Sequence, residues 1–354
     1  MEQMDSHAEV ILGVDTHLDI HVGVVIDQVG RLQGTHSIAT NALGYEELLS
    51  WAQKFGNLKR TGIEGTASYG AGLTRLLQAN GVTVIEINRP NRTRRRNRGK
   101  SDPTDAENAA RAVLADDASS VPKAQSGVAE ALRTLNVARR SAVKAKTQAI
   151  NQLRALLVSA PQFIREMALK AKPEQCIAAC AGLVCGDEQS PVIASLKTAL
   201  RLLARRWKAL HEEIKELDQQ LSRLIRIAAP RLLERFGVGP QTAATLLITA
   251  GDNPTRLRNE AALAALCGVS PLQASSGKTN RHRLNRGGDR QANNALWTIA
   301  IVRMRSDART REYVARRTGE GLSKKEIRRC LKRYIVRELY PLILADLKDA
   351  AQVA

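Results

Sequence analysis

Short apolar runs broken by small turns dominate the first ninety residues, and the spacing then changes to the three-and-four rhythm of helices. VILGVDTH, IHVGVVID and RLQGTHSIA, from residue 10 onward, are divided by short polar or Gly-containing turns and predict a meander of three strands. GYEELLSWAQKF carries Leu48, Leu49, Trp51 and Ala52 on one amphipathic face, a helix of about a dozen residues. LKRTGIEG then predicts a strand, SYGAGLTRLLQANG a helix closed by a Gly suited to a C-cap, and VTVIEIN another strand. A further helix begins near Asp102.

The order βββαβαβ followed by a helix is that of a ribonuclease-H-like α/β domain, here residues 1–122. Residues 123–228 predict a helical arm. Leu196, Leu200, Leu203, Trp207, Leu210, Ile214, Leu217, Leu221 and Leu224 alternate by four and three over about four heptads, a coiled-coil seam. Leu132, Leu135, Ala142, Ala149, Leu153 and Leu156 repeat the pattern more weakly, interrupted by Arg139 and Lys146. The two seams fit either a hairpin within one chain or a dimer interface.

Residues 229–354 form a third, mostly α-helical part. RFGVGPQTAATLLITAG has the glycine-apolar-glycine turn of a helix-hairpin-helix, in which Gly237 and Gly239 would meet a phosphate through backbone N–H groups; a simple tight turn between helices fits equally. CGVSPLQASSGKTNRHRLNRGGDRQANNALW follows as a polar, Gly-rich, basic loop leading into the last helices.

Composition narrows the partners. The chain has 354 residues, 44% of them hydrophobic, which suffices for two or three buried cores. Its 54 Lys and Arg against 35 Asp and Glu leave a net charge of +19. Such a surplus favours a polyanion through counterion release, with DNA or RNA first and an anionic membrane surface second. No apolar stretch approaches the ~18 residues a membrane span needs, and MEQMDSHAEV lacks a basic region followed by an apolar run, so a soluble cytoplasmic protein is expected. Five cysteines make no disulfide framework, and Cys176, Cys180 and Cys185 lack CxxC spacing and a nearby histidine, so they are expected as small buried apolar groups. RPNRTRRRNRGK concentrates Arg92, Arg94, Arg95, Arg96, Arg98 and Lys100 in one run without an acid, either a solvated segment or a strand-gripping loop.

Against that charge stand four acids at strand ends and a helix start. Asp15 lies on the first strand, Glu64 closes the fourth, and Asp102 and Asp105 are three apart, hence on one helix face. In a ribonuclease-H-like sheet the first and fourth strands are neighbours. The four carboxylates would repel one another without a cation, so a shared Mg²⁺ site is the economical account. The competing account makes Asp102 an N-cap, Pro103 the first helical residue and Asp105 a dipole partner. Asp19 and Asp27 fit turns or exposed strand positions, and the histidines are expected as surface or satisfied polar residues, with only His17 and His282 near the candidate chemistry. Ser275 and Ser276 precede Lys278, Arg281, Arg283 and Arg286, cationic donors that a serine attacking phosphorus would need; SSG is otherwise an ordinary turn.

GVDTH, GIEGTASYG, the basic run leading to KSDPTDAENAARA, and GVSP, SSGK and RLNRGGDRQANNALW, in that order, resemble the DEDD-type insertion-sequence transposases, bridge-RNA-guided DNA recombinases with a RuvC-like first domain and a serine-bearing last domain. The resemblance runs across nearly the whole chain. It implies that Asp15, Glu64, Asp102 and Asp105 hold Mg²⁺ and that Ser276, with Ser275 its immediate rival, attacks the scissile phosphate. It further implies donor and target double-stranded DNA, a noncoding guide RNA gripped by the basic run and the arm, and a dimer or tetramer. Two rival readings are a RuvC-like structure-specific nuclease that activates water, and a non-catalytic nucleic-acid scaffold.

Overall fold

The computed structural model describes residues 8–87, 101–118, 120–184, 190–277 and 282–353. The chain divides into two compact units, Met1–Gln125 and Ser126–Ala354.

In the first unit, β1 (Glu9–Thr16), β2 (Ile20–Ile26), β3 (Leu32–Ala39), β4 (Asn57–Glu64) and β5 (Thr83–Ile87) form one sheet in the order β3-β2-β1-β4-β5. The β1–β2 and β2–β3 pairs are antiparallel, and the β1–β4 and β4–β5 pairs parallel. This mixed sheet is compatible with the expected ribonuclease-H-like domain. Alternation along β1 divides the two cores. Val10, Leu12 and Val14 face α1 (Ala42–Gln53) and α2 (Ala71–Ala79), whereas Ile11 faces α3 (Asp102–Leu114) with Val24 and Ile26. Asn41 caps α1, its side chain accepting the Gly44 N–H at 2.9 Å. Asp27 accepts the N–H groups of Val29 and Arg31, the turn role expected of it.

The second unit is mostly helical. Its longest members are α4 (Val128–Val158) and α7 (Pro191–Ala228), which run antiparallel: Arg139 meets Asp218, and one heptad on, Lys146 meets His211. The heptad-spaced Leu200, Trp207, Ile214 and Leu221 are the buried residues of the α7 seam, so its pairing is made within the chain. Short helices α5 (Gln162–Ala168) and α6 (Pro173–Ala181) close one end around Leu153, Leu157, Leu200 and Trp207. Cys176 and Cys180 are buried there, and burial beside Cys176 pushes the Cys180 thiol up to about 12, the inert apolar behaviour expected of them. Cys185 lies outside the described residues.

The other end is a larger core built from α8 (Pro230–Leu233), α9 (Pro240–Ala250), α10 (Glu260–Leu266), α11 (Arg290–Ser306), α12 (Ala308–Gly319) and α13 (Lys324–Val353). Two helix starts are capped by carboxylates far away in sequence. Gly127 precedes α4 without a capping side chain, and Asp252 accepts the N–H groups of Ala129 at 2.7 Å and Glu130 at 3.3 Å instead. Asp346 likewise accepts the Leu232 N–H at 3.2 Å, at the start of α8. Where a basic loop was expected after Pro271, the chain forms a small hairpin of β6 (Leu272–Gln273) and β7 (His282–Arg283). Strands of two residues leave no alternation to read.

Candidate active site and the carboxylate cluster

The position of α3 is set by missing side chains. A Cβ at Gly13 would stand 2.0 Å from the Ala106 carbonyl oxygen, and one at Gly62 would stand 2.6 Å from that of Ala109. Helix and sheet therefore approach backbone to backbone, with Ala106, Ala109, Ala110 and Val113 buried between them. Ser101 is the residue ahead of the helix and Asp102 its first residue. Ser101, not Asp102, therefore holds the N-cap position, though its hydroxyl bonds to Thr104 Oγ1 and caps no backbone N–H.

On β1, Asp15 follows Gly13 by two positions and so projects from the same face, toward the start of α3. Glu64 follows Gly62 by two, on the neighbouring parallel strand, where Val14 pairs with Ile63. Asp102, Asp105, Ala106 and Ala109 share one helix face, at the spacing that packs α3 on the sheet. Asp15 and Asp105 are buried, and Asp102 is half exposed. His17 Nε2 lies between two of the acids, 3.2 Å from Asp15 Oδ2 and 3.5 Å from Asp102 Oδ1. Burial holds the Asp15 carboxyl above the usual carboxylate range; His17 opposes this, and the charges of Asp102 and Asp105 add to it.

His21 is one of the buried polar residues rather than a surface one, stacked on Tyr45 with ring centroids 5.7 Å apart. Its Nδ1 accepts the His17 N–H at 3.4 Å, which holds the β1–β2 turn beside Asp15, and burial lowers its basicity. Thr16 Oγ1 donates to the Glu64 carbonyl oxygen at 2.8 Å and ties the two acid-bearing strand ends together. Neither role is readable from sequence, because each depends on strand neighbours rather than on spacing.

In the second unit, Ser276 and Ser275 are exposed on the β6–β7 hairpin, whose strands pair Leu272 with Arg283. Arg283 and Arg286 are exposed nearby in sequence. Lys278 and Arg281 lie outside the described residues, as do Arg92, Arg94, Arg95, Arg96, Arg98 and Lys100. Gly237 adopts a φ of +82°, the left-handed conformation its turn requires, and packs against α11, where Arg303 donates to the Phe236 carbonyl oxygen. The Gly239 N–H donates to Thr242 Oγ1 at 3.0 Å, so that donor is used inside the turn rather than offered to a phosphate.

Two family models match the chain in the same order as these features. A DEDD-type IS110 transposase model covers residues 12–160, and one described as the transposase IS116/IS110/IS902 family covers residues 229–315. The chain belongs to the IS110 family of DEDD transposases. A relative in Streptomyces coelicolor, an insertion element IS110 uncharacterized 43.6 kDa protein, is 34% identical over 141 residues. That match covers 38% of this chain, and the chain spans about a third of the length of the curated relative.

The donor set of this IS110-family chain fits a divalent cation. Single ligand atoms of Asp15, His17 and Asp102 all lie within 4.8 Å of one another. Buried and half-buried carboxylate oxygens are the donors a hard cation such as Mg²⁺ takes, and burial, with the charges of Asp102 and Asp105, holds Asp15 above the usual carboxylate range. His17 is the member of this group not expected among the ligands, although its position two residues after Asp15 had marked it. Among the described residues, no helix is long and apolar enough to cross a membrane.

Proposed function

We propose that this chain is the recombinase of an insertion sequence, cutting and rejoining double-stranded DNA at donor and target sites through a covalent phosphoserine linkage. The reading divides it into a RuvC-like catalytic part (1–122), a coiled-coil arm (123–228) and a transposase part bearing the serine (229–354). The observation that carries it is the approach of Asp15, Asp102 and His17 within 4.8 Å on the sheet face that Glu64 and Asp105 share.

Asp15, Glu64, Asp102 and Asp105 would hold Mg²⁺, which when bound polarises the scissile phosphate and screens four neighbouring negative charges. Ser276 Oγ forms the new bond to phosphorus and gives up its proton; the bond to the leaving sugar oxygen breaks, and that oxygen takes up a proton. Arg283 and Arg286, with Lys278 and Arg281, stabilise charge on the phosphoryl oxygens. Because a phosphodiester becomes a phosphoserine ester, bond energy is retained, and rejoining by the reverse attack needs no nucleotide triphosphate. At the helix-hairpin-helix-like turn of Gly237 and Gly239, whose Gly239 N–H is used by Thr242, a phosphate would have only the open space beside Gly239 to approach.

Sequence choice would lie with a noncoding guide RNA, held by Arg92, Arg94, Arg95, Arg96, Arg98, Lys100 and the arm. A dimer or tetramer would allow one subunit's serine to serve another's acids. The test is to trap the protein on labelled DNA with Mg²⁺ and guide RNA, then map the adduct by peptide mass. A DNA-linked peptide containing Ser276, absent in Ser276→Ala, is the expected result. Undiminished Mg²⁺-dependent cutting by Ser276→Ala would favour the hydrolytic nuclease instead, and linkage at Ser275 would move the nucleophile by one residue.

A further inference from the structure

The motifs GVSP and RLNRGGDRQANN meet in space around a cavity of about 730 Å³ in the second unit. Gly268, at a φ of +64°, is covered by Gly288, where a Cβ would stand 2.1 Å from the Gly268 nitrogen. This contact brings the two loops together as the cavity floor. Asn293 fastens them: its Nδ2 donates to the Cys267 carbonyl oxygen at 2.9 Å and to that of Gly268 at 3.2 Å. The same two bonds fix the direction of Asn293 Oδ1, which accepts from Lys332 Nζ at 2.8 Å.

Lys332 is thus a half-buried ammonium held by one neutral acceptor, with two further N–H donors. No carboxylate lies within ion-pair distance of it among the described residues. Arg283 and Arg329, both exposed, line the same cavity and have no carboxylate within ion-pair distance among the described residues, although the charge of Arg329 reaches Glu326. The acids nearby are already engaged. Glu326 accepts from the Ser323 N–H and hydroxyl, and Glu260 is paired with Arg333. Burial, with Arg329 and Arg328 adding to it, lowers the Lys332 ammonium below the ordinary lysine range.

We propose that this cavity is a phosphate subsite for a nucleic-acid backbone, with Lys332 as its fixed anchor and Arg283 and Arg329 as its rim. It deepens the reading of the chain as a nucleic-acid enzyme and rests on it. The anchor lies on α13, outside the motifs of the serine hairpin and the acids. A phosphodiester suits the site better than an apolar ligand, because Lys332, Arg283 and Arg329 all offer cationic donors there and Lys332 is positioned in advance by a locked amide. Arg283 belongs to the β6–β7 hairpin that carries Ser276, so a phosphate held here would fix the register of the strand running past the serine.

The test uses the full-length protein and two probes, a mixed-sequence fluorescent DNA duplex and a single-stranded RNA of the same sequence, each titrated over a range of salt. Lys332→Gln is expected to reduce the slope of log affinity against log salt by about one, the effect of one lost phosphate contact, and Lys332→Arg to keep it. Arg329→Gln, exposed and unable to disturb the core, is expected to reduce it similarly and carries the test if Lys332→Gln fails to fold; Arg283→Gln should reduce it too, but the chemistry at the serine already calls for that residue. A change confined to the duplex assigns the subsite to DNA, and one confined to RNA assigns it to the guide. Unchanged slopes in all three glutamine variants, with wild-type binding intact, would overturn the subsite alone. A wild-type protein that bound neither probe would overturn it together with the reading beneath it.

Discussion

Gly13 on β1 and Ala106 on α3 touch through their backbones, and the contact leaves no room for a single added carbon. It is also what holds the helix bearing Asp102 and Asp105 against the strand bearing Asp15. Gly13→Ala would drive a Cβ into a peptide group rather than into a flexible side chain. The expected loss is at or above the upper end of the ~1–3 kcal/mol typical of overpacking. Denaturant unfolding of Gly13→Ala should show a lower midpoint, and any folded fraction should cleave poorly. Wild-type stability and cleavage would show that α3 is free to shift.

Asp15 should trade stability for function. Its carboxyl is pushed above the usual carboxylate range, chiefly by burial, so the folded protein prefers the protonated form and ionisation costs stability. Stability therefore falls as pH rises from the unfolded-state range through the raised folded value, and the loss is complete above it. Asp15→Asn removes a charge but not a shape. At neutral pH without metal it should melt at a higher temperature than the wild type, with the gap closing on acidification. Mg²⁺ should raise the wild-type melting temperature and leave the variant unmoved, while the variant loses cleavage. Scanning fluorimetry across pH, with and without Mg²⁺, measures each part; equal melting at every pH would refute it.

Asp252 caps a helix that begins more than a hundred residues earlier, accepting from Ala129 and Glu130. Asp252→Ala leaves the first turn of α4 with unpaired N–H groups and should cost about 1–2 kcal/mol. Asp252→Asn keeps an acceptor and should recover part of that loss. Chemical denaturation of both variants measures the difference, and identical midpoints would exclude the cap.

What the sequence made legible divides along physical lines. The sheet was readable because β1, β2 and β4 carry alternation between two buried faces, and Glu64 was placed correctly because the strand pattern runs up to it. The approach of α3 was not readable, since glycines at 13 and 62 look the same whether a helix or a turn requires them. The cap from Asp252 and the His21 support depend on partners that no spacing rule connects. Asp102 was weighed as a cap because acids at helix starts usually are one, and only the helix boundary, with Ser101 ahead of it, places Asp102 inside the first turn. The cavity around Lys332 was hidden for the same reason: its floor joins loops about twenty residues apart, and its anchor comes from the last helix.

Arg139 and Lys146, which interrupt the apolar pattern of α4, are its register marks. Arg139 bonds to Asp218 through two nitrogens, and Lys146 Nζ lies 5.0 Å from the Trp207 ring centroid and 3.3 Å from His211 Nδ1. Sliding α4 by one heptad in either direction would set one of these cations against apolar Ile225 or Ala204, so polar pairs specify a register that leucines alone would leave degenerate. A double-mutant cycle on Arg139→Ala and Asp218→Ala should give a coupling of about 0.5–1 kcal/mol, modest because the Asp218 side chain is 45% exposed, and smaller at high salt. Lys146→Leu should keep or raise the melting temperature, because it completes an apolar seam. Combined with Arg139→Leu, it should loosen the register, seen as broadened exchange of amide protons along α4. Zero coupling, or protection in the double leucine variant equal to wild type, would assign the register to the apolar residues instead.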